Sequence, residues 1–306
     1  MRITAEKISG AGNTFILIEE GSLLHDLDRV RLAAARLAAE ICDERHPHGG
    51  ADGLIIVGPD ETSDFRMDFY NRDGSTGMMC GNGGRCAVRF AIDHGYVAAS
   101  DALSFRNAGV LYRATTTGRG IRLDFPDPRS IRLNEAIDLD GIPCIVHHLD
   151  VGTPHLILFL GDGDGGALGP LHDLDIERWG PLLRHHPFAG PGGANANIAA
   201  LRSDRSGVDL RTFERGVEGE TGACGTGAIA VGIAAALLYD LARPITIVPT
   251  SGSPLHVGCA IDDAGGVTDV SLEGGAEVVW RGEIGIREWG VGSGKEEQGV
   301  RNGKEE

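Results

Sequence analysis

Two stretches of this chain follow one plan, and that repetition constrains the fold more than any other feature. Met79-Cys80-Gly81-Asn82-Gly83-Gly84-Arg85-Cys86 and Ala223-Cys224-Gly225-Thr226-Gly227-Ala228 each place a cysteine before Gly-x-Gly. An apolar, helix-like run follows each, over 87–92 and 229–234. Glycines here predict sharp turns that leave N–H groups bare at a helix start. The partial positive charge of a helix N-terminus attracts an anion and predicts a depressed thiol pKa. Two such places in one chain predict two thiols facing one small carboxylate ligand.

The surroundings repeat as well. Alternating apolar and polar residues over 65–70 and 208–214 predict half-buried strands. These lead to the turn Asn71-Arg72-Asp73-Gly74 in one case and to Arg215-Gly216 in the other. Earlier in the first half, Gly10-Ala11-Gly12-Asn13 separates strands over 3–8 and 15–18; a helix over 30–42 and a strand over 54–57 follow. Short strands are expected over 103–105, 110–115 and 121–125, before Pro126 and Pro128 break the pattern. The second half offers strands over 144–150, 155–160 and 196–201, with a helix-like stretch over 182–186. Strands over 255–261, 267–272 and 277–284 close the body of the chain. The pattern predicts an internal duplication, an α+β chain of two pseudo-symmetric lobes with the cysteine loops facing across a cleft. Residues 288–306 hold little to bury and read as a disordered tail.

Composition removes several function classes. A net charge of −16, with no basic stripe, argues against nucleic acid and against an anionic membrane. Lysine occurs only at Lys7, Lys295 and Lys304, which leaves pyridoxal phosphate without a plausible Schiff-base partner. Six cysteines in 306 residues, behind an N-terminus with no apolar signal core, predict reduced thiols and a cytoplasmic location. The longest apolar run, over 228–238, is too short to span a bilayer and reads as a buried helix. Gly161-Asp162-Gly163-Asp164-Gly165-Gly166 fits G-x-G-x-x-G, but no helix is expected behind it and two aspartates repel a pyrophosphate. The pairs His46/His48, His147/His148 and His185/His186 lack partners at zinc-like spacing and read as exposed loop histidines; no metal is expected. Cys86 is expected to pack inside its own helix.

Two facing thiols suit one kind of chemistry. A thiolate removes a proton from one face of a carbon, and a thiol returns a proton to the other face. Their titrations are coupled, so the pair shares its pKa values. Amides at Gly81-Asn82 and Gly225-Thr226 are placed to hold the substrate carboxylate and to stabilise enolate-like charge.

Asn71-Arg72-Asp73-Gly74-Ser75, the first cysteine motif, and Glu214-Arg215-Gly216 with Gly219-Glu220-Thr221-Gly222-Ala223-Cys224-Gly225-Thr226-Gly227 resemble the signatures of diaminopimelate epimerases. Gly10-Ala11-Gly12-Asn13, Ala51-Asp52-Gly53-Leu54 and Thr153-Pro154-His155 fall in family order, and the likeness runs over about 3–286. The resemblance implies two lobes, each a barrel-like sheet around a central helix, expected over 1–124 with 278–287 and over 125–277. It implies epimerisation of LL- to meso-diaminopimelate without a cofactor, in lysine and cell-wall precursor synthesis, usually by a homodimer. Matched by motif, Cys80 and Cys224 are the acid/base residues. Asn13, Gly53, Asn71, Gly81, Asn82, Thr153, Asn195, Glu214, Arg215, Gly225 and Thr226 match substrate contacts. His155 matches a supporting position near the catalytic centre, and Trp280 an aromatic at the dimer contact.

Three departures fall at the distal end of the substrate. Thr14 stands where the family has Asp, Thr153 where it has Asn, and the turn Gly216-Val217-Glu218-Gly219 is one residue longer than the commonest form. Another amino-acid racemase on the same scaffold is therefore the nearest alternative, although a proline racemase carries His where Asn82 stands. A thiol redox switch between Cys80 and Cys224, and a non-catalytic amino-acid-binding module, are the alternatives from other classes.

Overall fold

The computed structural model describes residues 2–22, 27–76, 80–98, 102–161 and 166–285. The tail over 288–306 and the core of the glycine motif, 162–165, lie outside the described residues.

The first half runs β1 (Arg2–Gly10), β2 (Asn13–Glu19), α1 (Leu27–Ile41), β3 (Gly53–Gly58), β4 (Phe65–Asn71), α2 (Gly81–Asp93), β5 (Leu103–Asn107), β6 (Val110–Thr117) and β7 (Gly120–Asp124). The second half opens with β8 (Ser130–Leu139), β9 (Ile142–Asp150), β10 (Pro154–Phe159), α3 (Ile176–Arg184), β11 (Asn195–Leu201) and β12 (Val208–Glu214). It continues with β13 (Gly219–Thr221), α4 (Gly225–Tyr239), β14 (Ile245–Pro249), β15 (Leu255–Ile261) and β16 (Val267–Gly274), and β17 (Glu277–Gly285) ends the described chain.

The pairing scheme repeats. β2 pairs parallel with β3, β3 antiparallel with β4, β4 parallel with β5, and β5 antiparallel with β6. In the second half β10 pairs parallel with β11, β11 antiparallel with β12, β12 parallel with β14, and β14 antiparallel with β15. Equivalent strands β7 and β16 pair with each other and merge the two halves into one sheet. The return strands are equivalent too, β17 on β1 and β8 on β9. The duplication read from the cysteine motifs is thus written into the strand order, and the fold is a sheet-dominated α+β of two lobes.

Each half wraps its sheet around one helix. α2 packs on β1, β2, β3, β4 and β7, and α4 packs on β9 to β12 and β14 to β16. Every residue of α4 from Gly227 to Ala235 is buried, which explains a helix that is apolar all round. α1 and α3 cover the outer faces, Leu37 and Ile41 packing on Ile16 and Ile56, and Trp179 and Leu183 on Leu158 and Phe213. A side chain at Gly180 would meet the ring of Phe213 at 2.6 Å, so α3 lies close on β12.

Most expected elements stand where the patterns placed them. The helix-like stretch over 182–186 is only the end of α3, which begins at Ile176 behind the Asp175 cap and carries Pro181 inside it. β8 escaped because it is an edge strand, paired only with β9 among the described residues and exposed at alternate positions, with a bulge at Asn134 (φ +59°). The histidines are not all exposed loop residues. His147 is buried in β9, where its Nδ1 accepts the Asn134 N–H, and His48 stacks on Trp280 at 4.3 Å.

Candidate active site

Cys80 and Cys224 are the N-cap residues of α2 and α4, the two central helices, and both line one cavity of about 920 Å³. The helix starts nearly touch: a Cβ at Gly225 would lie 3.9 Å from Gly81 Cα and 3.7 Å from Asn82 Oδ1. The glycines serve this close approach rather than the expected sharp turns. None of Gly81, Gly83, Gly225 and Gly227 has a positive φ, and all four lie in the first turns of the helices. A Cβ on Gly227 would fall 2.6 Å from Asn197 Oδ1, and one on Gly81 3.2 Å from the Phe125 ring. The turn before β2 does need its glycine: Gly12 has φ +98° and packs against Ser251, whose hydroxyl donates to the Ala11 carbonyl at 2.8 Å.

The expected depression of the thiol pKa does not hold. Burial pushes the Cys80 thiol up, against the N–H groups of Gly83 and Asn82 and the charge of Arg85, while the Glu214 carboxylate adds to the rise. Burial pushes Cys224 up to about 12, again reinforced by Glu214 and opposed by the Thr226 hydroxyl and the Gly227 N–H. Desolvation outweighs the helix N-terminus in both lobes. Glu214 is itself raised by burial and by Asp52, with the Thr221 hydroxyl at 2.9 Å opposing. One half-buried carboxylate therefore acts on both sulfurs.

Of the residues matched as substrate contacts, Asn13, Asn71, Gly81, Thr153, Glu214, Gly225 and Thr226 line the cavity with the two cysteines. Asn82 lies behind its wall, 1% exposed, donating from Nδ2 to Asn13 Oδ1 at 2.7 Å and to the Ala223 carbonyl at 3.4 Å. Asn195 holds the backbone, accepting the Arg215 N–H at 2.8 Å and donating to the Pro154 carbonyl at 3.3 Å. Gly53 sits in β3 where a Cβ would meet Phe69 and the Tyr70 carbonyl at 2.5 Å. Arg215 is exposed, and its side chain is not part of the cavity wall.

His155 is fully buried in β10, and burial lowers it to about 3, so the imidazole is neutral. Asn197 fixes its tautomer. The Asn197 Nδ2 group faces the carbonyls of Asn195 (3.2 Å) and Leu156 (3.4 Å), and Oδ1 accepts the Thr212 hydroxyl at 3.1 Å. Nδ2 therefore donates to His155 Nδ1 at 3.1 Å, which leaves the ring proton on Nε2, 3.0 Å from Thr153 Oγ1. The Thr153 hydroxyl then donates to Thr226 Oγ1 at 3.4 Å, and Thr226 lies 3.6 Å from Cys224 Sγ. Every hydroxyl in this chain can donate toward the sulfur.

Sequence reasoning missed Asn197 and Thr212, which are buried in β11 and β12, and gave Arg85 no role. It also gave no role to further cavity residues, among them Asp52 and Val217 inside the quoted stretches and Arg113, Phe125 and Arg129 outside them. An asparagine or arginine in the middle of an otherwise apolar run was the available signal. Cys86 packs inside as expected, fully buried with its sulfur 3.8 Å from the Ile8 carbonyl. Among the described residues no cluster of His, Cys, Asp or Glu has the arrangement of a metal site.

The model of the family described as diaminopimelate epimerase matches residues 6–117 and 148–277. The chain belongs to the diaminopimelate epimerase family. A diaminopimelate epimerase from Chlorobaculum tepidum is 36% identical over 279 residues, covering 90% of this chain and 99% of the relative. Solved structures share the fold at lower identity. A phenazine biosynthesis protein from Bacillus anthracis superposes with a TM-score of 0.67 at 14% identity, over 94% of this chain and all of the other. A probable proline racemase from Agrobacterium radiobacter gives 0.65 at 16% identity, over 95% of this chain and 94% of the other.

Proposed function

We propose that the chain epimerises LL-diaminopimelate to the meso form by proton transfer between Cys80, Cys224 and the substrate Cα. The observation that carries this reading is that two cysteines, each capping the central helix of its own lobe, share the wall of one cavity. One sulfur, as thiolate, takes the Cα proton; its S–H bond forms as the C–H bond breaks, and the electron pair passes into the carboxylate as an enolate. The opposite thiol then gives its proton to the other face of Cα, and the two sulfurs end with exchanged protonation. N–H groups of Gly81-Asn82 and Gly225-Thr226, at two helix starts, suit the carboxylate and the charge that develops on it. A substrate ammonium beside Glu214 neutralises the carboxylate that raises both thiols, so binding itself favours the thiolate.

At the distal end Asn71 is assigned to the second carboxylate together with Arg215, which would reach in from the exposed turn between the cavity residues Glu214 and Val217. Thr153 stands beside Thr226 near the reacting centre. A homodimer through the face of β17 that carries Trp280, a cytoplasmic location, and lobe boundaries near Pro126 and at β17 complete the proposal. Incubation with LL-diaminopimelate in D2O tests it: deuterium at Cα and the meso product should appear together without added cofactor. Turnover of another amino acid, with diaminopimelate untouched, would reassign the substrate. A reversible dithiol couple without any exchange would replace the reaction.

A further inference from the structure

The first cysteine motif carries a charge that the proton chemistry leaves without a role. Arg85 lies five residues after Cys80 in α2 and has 0% of its surface exposed. No carboxylate pairs with its guanidinium among the described residues; every partner is a neutral oxygen. Nη2 donates to Asn82 Oδ1 at 2.7 Å, Nη1 to the Gly81 carbonyl at 3.3 Å and Nε to the Gly275 carbonyl at 3.5 Å. The slot is shaped for it, since a Cβ at Gly274 would come 3.3 Å from Nε. Burying an unpaired guanidinium costs several kcal/mol, so a merely structural helix position would be filled more stably by an apolar side chain.

Asn82 shows what the charge does. A carboxamide can flip, exchanging its donor and acceptor ends. With Arg85 donating to Oδ1, Nδ2 is forced outward, to Asn13 Oδ1 at 2.7 Å and to the Ala223 carbonyl at 3.4 Å. Asn13 starts β2 of the first lobe, whereas Ala223 immediately precedes Cys224 in the second. The Asn82 side chain is thus a buried strut from one cysteine loop to the other, and its own N–H belongs to the first helix start.

We propose that Arg85 is a positioning residue of the reaction. Its guanidinium locks the Asn82 carboxamide in the one orientation that ties the Cys80 loop to the Cys224 loop, and its unpaired charge favours the thiolate at Cys80. The proposal rests on the two-thiol reading for its effect on turnover, but its electrostatic half can be read without turnover. The same charge is among the influences that oppose the burial of the Cys80 thiol, and it is not among the main influences on Cys224.

The test compares the wild type with Arg85→Met, Arg85→Lys, Asn82→Ala and the Arg85→Met/Asn82→Ala double variant. In the absence of substrate, the alkylation rate of each cysteine is followed against pH by mass spectrometry. Arg85→Met should move the Cys80 profile up by about one pH unit and leave Cys224 where it is; Arg85→Lys, which keeps the charge, should hold both. In turnover, Arg85→Met should lower kcat about a hundredfold with a much smaller change in KM, because the reacting groups lose alignment rather than binding. Lys cannot span the three oxygens and should restore kcat only in part. Added to Asn82→Ala, Arg85→Met should cost only about the tenfold that one pH unit on Cys80 is worth, rather than its full hundredfold, since the strut is already gone.

Full additivity of the two kcat losses, or equal movement of both alkylation profiles, would overturn the proposal. Should Arg85→Met fail to fold, Arg85→Lys carries the same additivity test against Asn82→Ala. Loss of all turnover in the wild type, with the Cys80-selective alkylation shift intact, would sink the epimerase reading and leave the charge effect standing.

Discussion

In the first lobe the group behind the cysteine loop is a charge, the buried guanidinium of Arg85; in the second it is a file of neutral groups, Thr212, Asn197, His155, Thr153 and Thr226. The backbones around them are duplicates, down to the order of parallel and antiparallel pairs. The side chains that stabilise negative charge on sulfur are not duplicated. A reaction that runs in both directions needs two sulfurs that exchange roles, and the comparison suggests that a charge on one side can be matched by aligned dipoles on the other. Both cysteines answer to Glu214, a carboxylate that raises them together.

The largest effect should come from the sulfurs themselves. Cys80→Ala and Cys224→Ala should each lower epimerisation by about 10²–10⁴-fold, the range of a lost general acid or base. Kinetics on each stereoisomer in D2O sharpen the comparison, because each variant should keep some exchange from the isomer whose proton faces the remaining thiolate. A variant that epimerises at the wild-type rate would break the equivalence of the two lobes.

Next in size is the neutral file. Thr153→Val keeps the shape and removes the hydroxyl between His155 and Thr226. A hydrogen bond that supports a charged group is worth a few kcal/mol at most, so kcat should fall by about tenfold. The Cys224 alkylation profile should move to higher pH while that of Cys80 stays, the mirror image of the Arg85 variants. If both profiles move, the file is not specific to the second lobe.

The cysteine motifs were legible because their signal is local: each Cys-Gly-x-Gly before a helix-like run became the start of a central helix, α2 or α4. The strands delivering them were legible for the same reason, as the alternation over 65–70 and 208–214 became β4 and β12. What could not be read is what depends on partners far away in the chain. The glycines looked like turn residues, and only the packed structure shows that Gly225 faces Gly81 from the other lobe. The thiol shift came out with the wrong sign because a sequence displays a helix N-terminus but not the depth at which it is buried. Asn195 was matched to the substrate, and its bond to the Arg215 N–H, which only the folded turn reveals, could not be read from the motif. Asn197, two residues on, gave no motif although it directs the whole file.

Glu214→Gln probes what the lobes share. Its carboxylate raises both thiols, so its removal should lower both, and the acid limb of kcat/KM should shift to lower pH by less than about one unit. The same variant should raise KM through the lost ammonium contact. Alkylation profiles that move for one cysteine only would mean that Glu214 belongs to a single lobe.

The smallest effect concerns stability, and it separates the two helix starts. A Cβ at Gly227 would stand 2.6 Å from Asn197 Oδ1 and 3.2 Å from Cys224 Cβ, both held by buried neighbours. At Gly81 the nearest obstacle is the edge of the Phe125 ring at 3.2 Å, on a half-buried side chain that can turn aside. Overpacking a rigid site costs about 1–3 kcal/mol, and alanine gains some helix propensity over glycine at either place. Gly227→Ala should therefore lower the unfolding midpoint in denaturant, while Gly81→Ala should leave it nearly unchanged. The shift at 227 should shrink when Asn197 is also replaced by Ala, since the clash is with that carboxamide. Equal destabilisation at 81 and 227 would mean that both helix starts are packed with the same rigidity, and that the two loops differ only in the groups behind their sulfurs.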